Sequence, residues 1–105
     1  MLKQLTDDNF ATEVLAMSKD KPVLVDFFAT WCGPCKMQMP IVEAVAEEIG
    51  EGAVVGAMNV EVGQATAQEY GVMSIPTLIV FKAGQPSKTF VGVQTKQTLL
   101  QELKG

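Results

Sequence analysis

Two cysteines, Cys32 and Cys35, stand three positions apart in the stretch "TWCGPCK" and are the only cysteines of the 105-residue chain. In the first turn of a helix, residues with this spacing lie with their Cα atoms about 5 to 6 Å apart, a distance that a disulfide accepts. Such a pair can close and reopen without moving the fold. Three kinds of site use a pair of this kind: a structural disulfide, a metal centre and a redox-active dithiol.

The absence of histidine from the sequence narrows the choice between these sites. It excludes a Cys-His or Ser-His catalytic pair, a Cys2His2 zinc site and a c-type haem attachment. Two thiolates are half of a tetrahedral set, so a metal or iron-sulfur centre would need a second chain to complete it. A structural disulfide would close so short a loop that it would add little stability. A redox-active dithiol is the favoured interpretation, with no metal and no cofactor expected.

The elements on either side of the pair favour the same chemistry. Residues 23–29 are apolar at both alternating sets of positions, which is typical of a strand buried on both faces. Pro34 suits the first turn of a helix that Gly50 ends. Cys32 therefore falls at a helix N-terminus, where unpaired N–H groups and the helix dipole favour a thiolate. It is expected to attack first.

Two neighbours complete this picture of the pair. Lys36 adds a positive charge close to the attacking sulfur. Cys35, one turn into the helix and facing the sheet, is expected to be the more buried thiol and the harder to ionise. It is suited to resolve a mixed disulfide rather than to start one.

Asp26 is the one acid of the apolar strand, six residues before Cys32. Burial would raise the pKa of its carboxyl because burial disfavours the charged form. A carboxyl that titrates near neutrality could accept the proton of Cys35 as that residue attacks. The competing interpretation is a solvated position at the strand end, or a carboxyl that only bonds backbone groups.

The hydrophobic periodicity predicts an α/β fold with the element order β-α-β-α-β-α-β-β-α. Alternation in the first half implies parallel strands, and a final hairpin adds antiparallel ones, so the sheet is mixed and covered by helices on both faces. Thr6 is predicted to cap the first helix, with Asp7 and Asp8 in its first turn. The predicted strands are 2–5, 23–29, 53–60, 77–81 and 88–93, and the predicted helices are 6–18, 34–49, 64–70 and a last one that begins after Thr95.

The composition of the chain limits which partners and which cellular compartment are expected. The length and the 48% apolar content predict one domain over residues 1–105. A net charge of -4 with scattered lysines shows no basic stripe, so no nucleic-acid partner is expected. The longest apolar runs fall far short of the roughly 20 residues that span a bilayer, so no membrane association is expected. The polar N-terminus does not look like a secretory signal, which predicts a cytoplasmic protein.

Several segments together resemble the thioredoxin family, and the match covers essentially the whole chain. They are "WCGPCK" after a strand that ends in "DFFAT", then Pro40, then "YGVMSIPTLIVFKAG", and a "VG" before a terminal amphipathic helix. The resemblance implies a thioredoxin fold, a five-stranded mixed sheet flanked by four helices. It also implies a general protein-disulfide reductase that is recycled by a flavin-dependent reductase or an equivalent dithiol donor, with the chain acting as a monomer.

The resemblance also assigns roles to matching positions. It makes Cys32 the nucleophile, Cys35 the resolving thiol and Asp26 the buried proton acceptor. Although the bare base rate of about 5% predicts a trans bond before Pro76, the resemblance implies a cis bond. The remaining assignments are redox tuning by Trp31, Gly33 and Pro34, to which the charge of Lys36 contributes, and substrate binding by Trp31, Ile75, Pro76, Val91, Gly92 and Val93.

Three positions depart from the family pattern. Phe28 stands where the family commonly has tryptophan, Ala57 where a lysine commonly lies near the buried acid, and Met73 where a basic residue is common. Without a cation at position 57, Asp26 is expected to be harder to ionise. An alternative function is also open: a redox-independent thioredoxin-like subunit that serves a larger assembly through its apolar surface.

Overall fold

Five strands form one mixed sheet. A computed structural model of the chain describes residues 2–105. The strands are β1 (Leu2–Leu5), β2 (Val23–Phe28), β3 (Val54–Asn59), β4 (Thr77–Lys82) and β5 (Gln85–Val91). Their spatial order is β1-β3-β2-β4-β5, in which β1 and β2 are parallel to β3 while β4 is antiparallel to both β2 and β5. The predicted mixed sheet is confirmed.

Four helices flank the sheet, as expected. Helix α1 has two runs, Ala11–Ala16 with π-helical and Met17–Lys19 with 3-10 hydrogen bonding. The others are α2 (Gly33–Ile49), α3 (Gln64–Glu69) and α4 (Lys96–Lys104). Of the helices in residues 2–105, none has the length and the apolar character needed to cross a membrane.

Strand β2 carries a hydrophobic core on each of its faces because successive side chains point to opposite sides of a sheet. Leu24 packs in one core with residues of α2 and α4. Val25 and Phe27 pack in the other with residues of α1 and α3. Each of these three side chains is fully buried, and burying one stabilises the fold by about 1.5 to 3 kcal/mol. The cysteine pair therefore follows a strand that is held on both faces.

The predicted start of the first helix is wrong. Thr6 Oγ1 accepts the N–H of Asn9 at 3.2 Å, and Asn9 Oδ1 accepts the N–H of Thr6 at 2.8 Å, so the pair closes a turn ahead of α1. Asp7 instead serves α3: Thr66 donates to it through Oγ1 at 2.6 Å and through its N–H at 2.9 Å. These hydrogen bonds hold the pKa of Asp7 below its ordinary value of 3.8.

The hairpin also differs from its prediction, since β5 begins at Gln85 rather than at residue 88. Ala83 and Gly84 both have positive φ, 55° and 84°, as a two-residue type I′ turn requires. Pro86 then lies within β5, which is an edge strand and needs fewer ladder donors. The strand therefore extends through residues whose types are typical of a turn.

Candidate active site

A disulfide joins Cys32 and Cys35, whose Cα atoms lie 5.3 Å apart. Cys32 is the N-cap residue of α2, with an extended backbone, and its Sγ accepts the N–H of Cys35 at 3.2 Å. Pro34 occupies the first turn, where its missing N–H removes no helical hydrogen bond. The predicted helix start is confirmed, and the pair stands at the carboxyl end of β2.

Both cysteines are buried, with exposed fractions of 5% for Cys32 and 2% for Cys35. The order agrees with the prediction, but the difference is small. Their cluster includes Ala29, with Phe28 and Ile75 packed against it. The pair is therefore set into the surface and does not project into solvent.

The loop before β4 lies against the sulfur of Cys32. The Ile75–Pro76 peptide bond is cis, as the resemblance implies and contrary to the base rate. Cys32 Sγ lies 3.8 Å from the carbonyl oxygen of Ile75. Gly92 donates its N–H to the carbonyl of Pro76 at 2.8 Å, which ties the end of the hairpin to the same loop. Four of the predicted site residues are thus joined by direct contacts.

Exposed apolar side chains are present at three other predicted positions. The exposed fractions are 68% for Trp31, 65% for Val91 and 41% for Val93. Trp31 directly precedes Cys32, and the two valines flank Gly92. Isolated exposed apolar residues are ordinary, but several around one reactive group are typical of a surface that binds a partner.

Asp26 lies in the middle of β2, where its register partners are Ala57 on β3 and Leu78 on β4. Its side chain is fully buried, and neither carboxyl oxygen has a hydrogen-bond partner within residues 2–105. Burial raises the pKa of Asp26 from its ordinary value of 3.8 to about 7. The interpretation as a solvated strand-end residue is therefore wrong. By the alternation along β2, Asp26 points to the face that carries Leu24 and is covered by α2.

Comparison with known proteins decides the family. A family model described as Thioredoxin matches residues 1–105. The chain belongs to the thioredoxin family. It is 52% identical over 100 residues to a thioredoxin of Mycobacterium tuberculosis, covering 95% of this chain and 84% of that protein. It is 48% identical over 99 residues to a thioredoxin of Alicyclobacillus acidocaldarius, covering 94% of this chain and 91% of that protein.

The name of a third relative includes both a thioredoxin reductase and a thioredoxin. This relative is a bifunctional thioredoxin reductase/thioredoxin of Mycobacterium leprae, 47% identical over 100 residues, which are 95% of this chain and 21% of the longer protein. Membership of the thioredoxin family, together with the paired cysteines, identifies the chain as a thiol-disulfide oxidoreductase. Family membership also implies disulfide substrates and a reductase partner. The redox-independent alternative is not favoured, because both cysteines are present and form a disulfide.

One residue of this thioredoxin site was missed from the sequence. Gln38, one turn beyond Cys35 on α2, is fully buried. Its Oε1 accepts the N–H of Gln94 at 2.7 Å, and its Nε2 donates to the carbonyl of Gln94 at 3.1 Å. The available signal was a polar residue on the face of the helix that the pattern assigns to the core, since buried polar groups are normally hydrogen-bonded.

Two cavities differ in their relation to the thioredoxin site. A shallow apolar one of about 230 Å³ lies beside Cys35 and is lined by Phe28, Lys36 and Met39 among others. A larger one of about 650 Å³ is lined by Leu2, Val55 and residues at the end of α2, and it touches neither cysteine. The smaller cavity therefore adjoins the cysteine pair through Cys35, whereas the larger one lies apart from both cysteines.

Proposed function

We propose that the chain is a general protein-disulfide reductase in which Cys32 attacks, Cys35 resolves and Asp26 accepts a proton. The observation that carries the proposal is the position of Cys32 Sγ at the N-cap of α2, 3.2 Å from the N–H of Cys35. In the reduced protein, this N–H and the partial positive charge of the helix N-terminus favour the thiolate of Cys32.

In the first step, the Cys32 thiolate attacks one sulfur of the substrate disulfide. A bond forms between Cys32 Sγ and that sulfur, the substrate S–S bond breaks, and the other substrate sulfur leaves as a thiolate that takes a proton from water. Cys35 keeps its proton during this step, because its burial disfavours the charged form.

In the second step, Cys35 loses its proton and attacks Cys32 Sγ. The Cys32–Cys35 disulfide forms, the mixed disulfide breaks, and the second substrate sulfur leaves as a thiolate that takes a proton from water, so two electrons have passed to the substrate. Asp26 is the proposed acceptor of the Cys35 proton. A carboxyl with a pKa of about 7 is about half ionised at pH 7 and can both take and return a proton there.

Substrate binding is assigned to the surface around the sulfur. We propose that an extended substrate segment pairs with the backbone of Ile75, next to the cis bond to Pro76. The exposed indole of Trp31 and a docking rim, defined as Val91–Val93 and including Gly92, would bury apolar substrate surface. Gly33, Pro34 and Lys36, with Trp31, are proposed to set the redox potential of the pair.

The setting and the recycling partner complete the proposal. We propose one domain over residues 1–105 that acts as a cytoplasmic monomer. A flavin-dependent thioredoxin reductase, or an equivalent dithiol donor, would return the Cys32–Cys35 disulfide to the dithiol. Support for a reductase of this kind comes from the Mycobacterium leprae relative, whose name joins a thioredoxin reductase to a thioredoxin.

Replacing Cys35 with serine tests the order of attack. Because Cys32 can still attack but nothing resolves the adduct, the Cys35→Ser variant is expected to accumulate a mixed disulfide with insulin. Intact mass under non-reducing conditions, followed by peptide mapping, checks that the adduct lies on Cys32. Cys32→Ser is the matched control and is expected to form almost none. An adduct that forms as readily through Cys35 would contradict the assigned order.

A further inference from the structure

The segment between β5 and α4 has backbone groups outside any strand ladder, and Gln38 satisfies them. Gln94 offers one N–H and one carbonyl in this segment, and both are bonded by the carboxamide of Gln38, at 2.7 and 3.1 Å. Since Gln38 is fully buried, its carboxamide is shielded from water. A carboxamide is the neutral side chain that can accept from an N–H and donate to a carbonyl at the same time.

A second set of bonds holds the other side of the same segment. Gly92 donates its N–H to the carbonyl of Pro76 at 2.8 Å, and its own carbonyl accepts Nε2 of Gln94 at 3.2 Å. Val93, half-exposed, lies between the two anchored residues. The docking rim is therefore fixed on one side to the loop that touches Cys32 Sγ and on the other side to α2.

These contacts form a continuous ring of interactions that begins and ends at the disulfide. Cys35 and Gln38 are one helical turn apart on α2, so their relative position is rigid. From Gln38 the ring passes through Gln94 and Gly92 to the Ile75–Pro76 loop, and from the carbonyl of Ile75 across 3.8 Å to Cys32 Sγ. The only side-chain carboxamide that links the cysteine helix to the rim within residues 2–105 is that of Gln38.

We infer that Gln38 is a positioning residue for substrate docking, which holds Val93 and Gly92 at a set height beside the reactive disulfide. The inference deepens the proposed function and rests on the proposed binding role of the docking rim. Gln38 touches no substrate, and it acts through the backbone of Gln94. It sets the affinity for protein disulfides and leaves the intrinsic reactivity of the Cys32 thiolate unchanged.

Replacing Gln38 with leucine removes the carboxamide at similar size. The N–H and carbonyl of Gln94 then lose their partners, and the segment moves toward water to hydrate them. A rim that is no longer held must be ordered when the substrate binds, which weakens binding. The expected result is a rise of about five- to tenfold in KM for insulin. The rate of the pre-reduced protein with a small aromatic disulfide is expected to stay within about twofold of the parent, because that substrate needs no rim.

Replacing Gln38 with glutamic acid provides a readout that a purely structural role would not move. A protonated carboxyl reproduces the carboxamide pattern, accepting from the N–H and donating to the carbonyl of Gln94, whereas the ionised form loses the donor. In Gln38→Glu, the ratio of the insulin KM to that of the parent is therefore expected to be high at pH 8 and to approach one at pH 5. Amide hydrogen exchange at Gln94 should change in parallel. This variant also tests the inference if Gln38→Leu fails to fold.

Two further variants separate the possible outcomes. Val45→Ala, in the buried face of α2 but away from the rim, should lower stability without raising KM. Val93→Ser should raise the insulin KM if the rim binds substrate. An unchanged KM in Val93→Ser overturns the proposed rim itself. A raised KM in Val93→Ser together with an unchanged KM in Gln38→Leu, or a pH-independent KM ratio in Gln38→Glu, overturns the role of Gln38 alone.

Discussion

Replacing Cys32 with serine is expected to reduce the turnover of insulin with dithiothreitol to the uncatalysed rate, a loss of more than about a thousandfold. A serine hydroxyl is not ionised near neutral pH and cannot form a disulfide. The remaining thiol, Cys35, is buried with an exposed fraction of 2% and has no partner with which to close an intramolecular disulfide. The rate of insulin precipitation in the presence of dithiothreitol measures the loss.

A substitution close by serves as the control for this loss. Thr30→Ser changes an exposed residue two positions from Cys32 and should retain parental turnover. Full activity in Cys32→Ser would contradict the mechanism. A Cys32→Ser, Cys35→Ser double variant that preserves a partner-dependent function would support the redox-independent alternative instead.

Replacing Asp26 with asparagine is expected to remove most of the dependence of stability on pH between pH 5 and 8. The pKa of the buried carboxyl is about 7 in the folded protein, against an ordinary value of 3.8. As the pH rises, the unfolded chain releases this proton first, so the folded state binds more protons and the free energy of unfolding falls. The full effect is about 4 kcal/mol, of which about 3 kcal/mol falls between pH 5 and 8.

Other shifted groups act outside this window. Hydrogen bonds from Thr66 lower the pKa of Asp7, and the hydrogen bond from Lys96 lowers that of Glu48, so their contributions are lost only as the pH falls further. Burial raises the pKa of Tyr70 from 10.0, which matters in alkaline solution. The pH dependence between 5 and 8 therefore reports on Asp26.

Urea unfolding at several pH values between 5 and 8 measures the effect of Asp26. The free energy of unfolding of the parent should fall as the pH rises. That of Asp26→Asn should stay nearly constant, so that relative to pH 5 the variant loses less stability than the parent. Asp8→Asn removes an exposed carboxyl and should follow the parent. Parallel curves for parent and Asp26→Asn would contradict a carboxyl that is kept protonated by burial.

The same variant separates the two chemical steps. If Asp26 accepts the proton of Cys35, Asp26→Asn should slow the resolution of the mixed disulfide more than the initial attack by Cys32, because only resolution needs that proton removed. Stopped-flow measurement of both phases with the reduced protein distinguishes them. Equal slowing of the two phases would remove Asp26 from the assigned role.

The sequence predicted the element order and the place of the cysteines because both depend on local patterns. The apolar run that became β2, the first-turn proline at position 34 and the helix end at Gly50 are signals that neighbouring residues carry themselves. The positions of Cys32 and Asp26 relative to these elements followed directly. The cis bond before Pro76 was predicted only by the resemblance to a family, because most bonds before proline are trans.

What was missed depends on residues far apart in the chain. Asp7 bonds Thr66, 59 positions away, and Gln38 bonds Gln94, 56 positions away. No local spacing indicates such partners. Helix α1 begins later than predicted, at Ala11, because the residues between Thr6 and Asn9 form a turn that the reciprocal hydrogen bonds of these two residues close. Burial alone raises the pKa of Asp26, because its neighbour on β3 is Ala57 and not a cationic residue.

The equilibrium of the dithiol with glutathione tests most directly whether this thioredoxin-family protein is a reductase. The purified protein is brought to equilibrium in glutathione buffers of varied ratio, quenched with acid and analysed for the Cys32–Cys35 disulfide by mass. We expect oxidised glutathione to convert the dithiol to the disulfide, with reduced glutathione in large excess needed to reverse it. A disulfide that readily oxidises reduced glutathione would make the protein an oxidant and would contradict its assignment as a reductase.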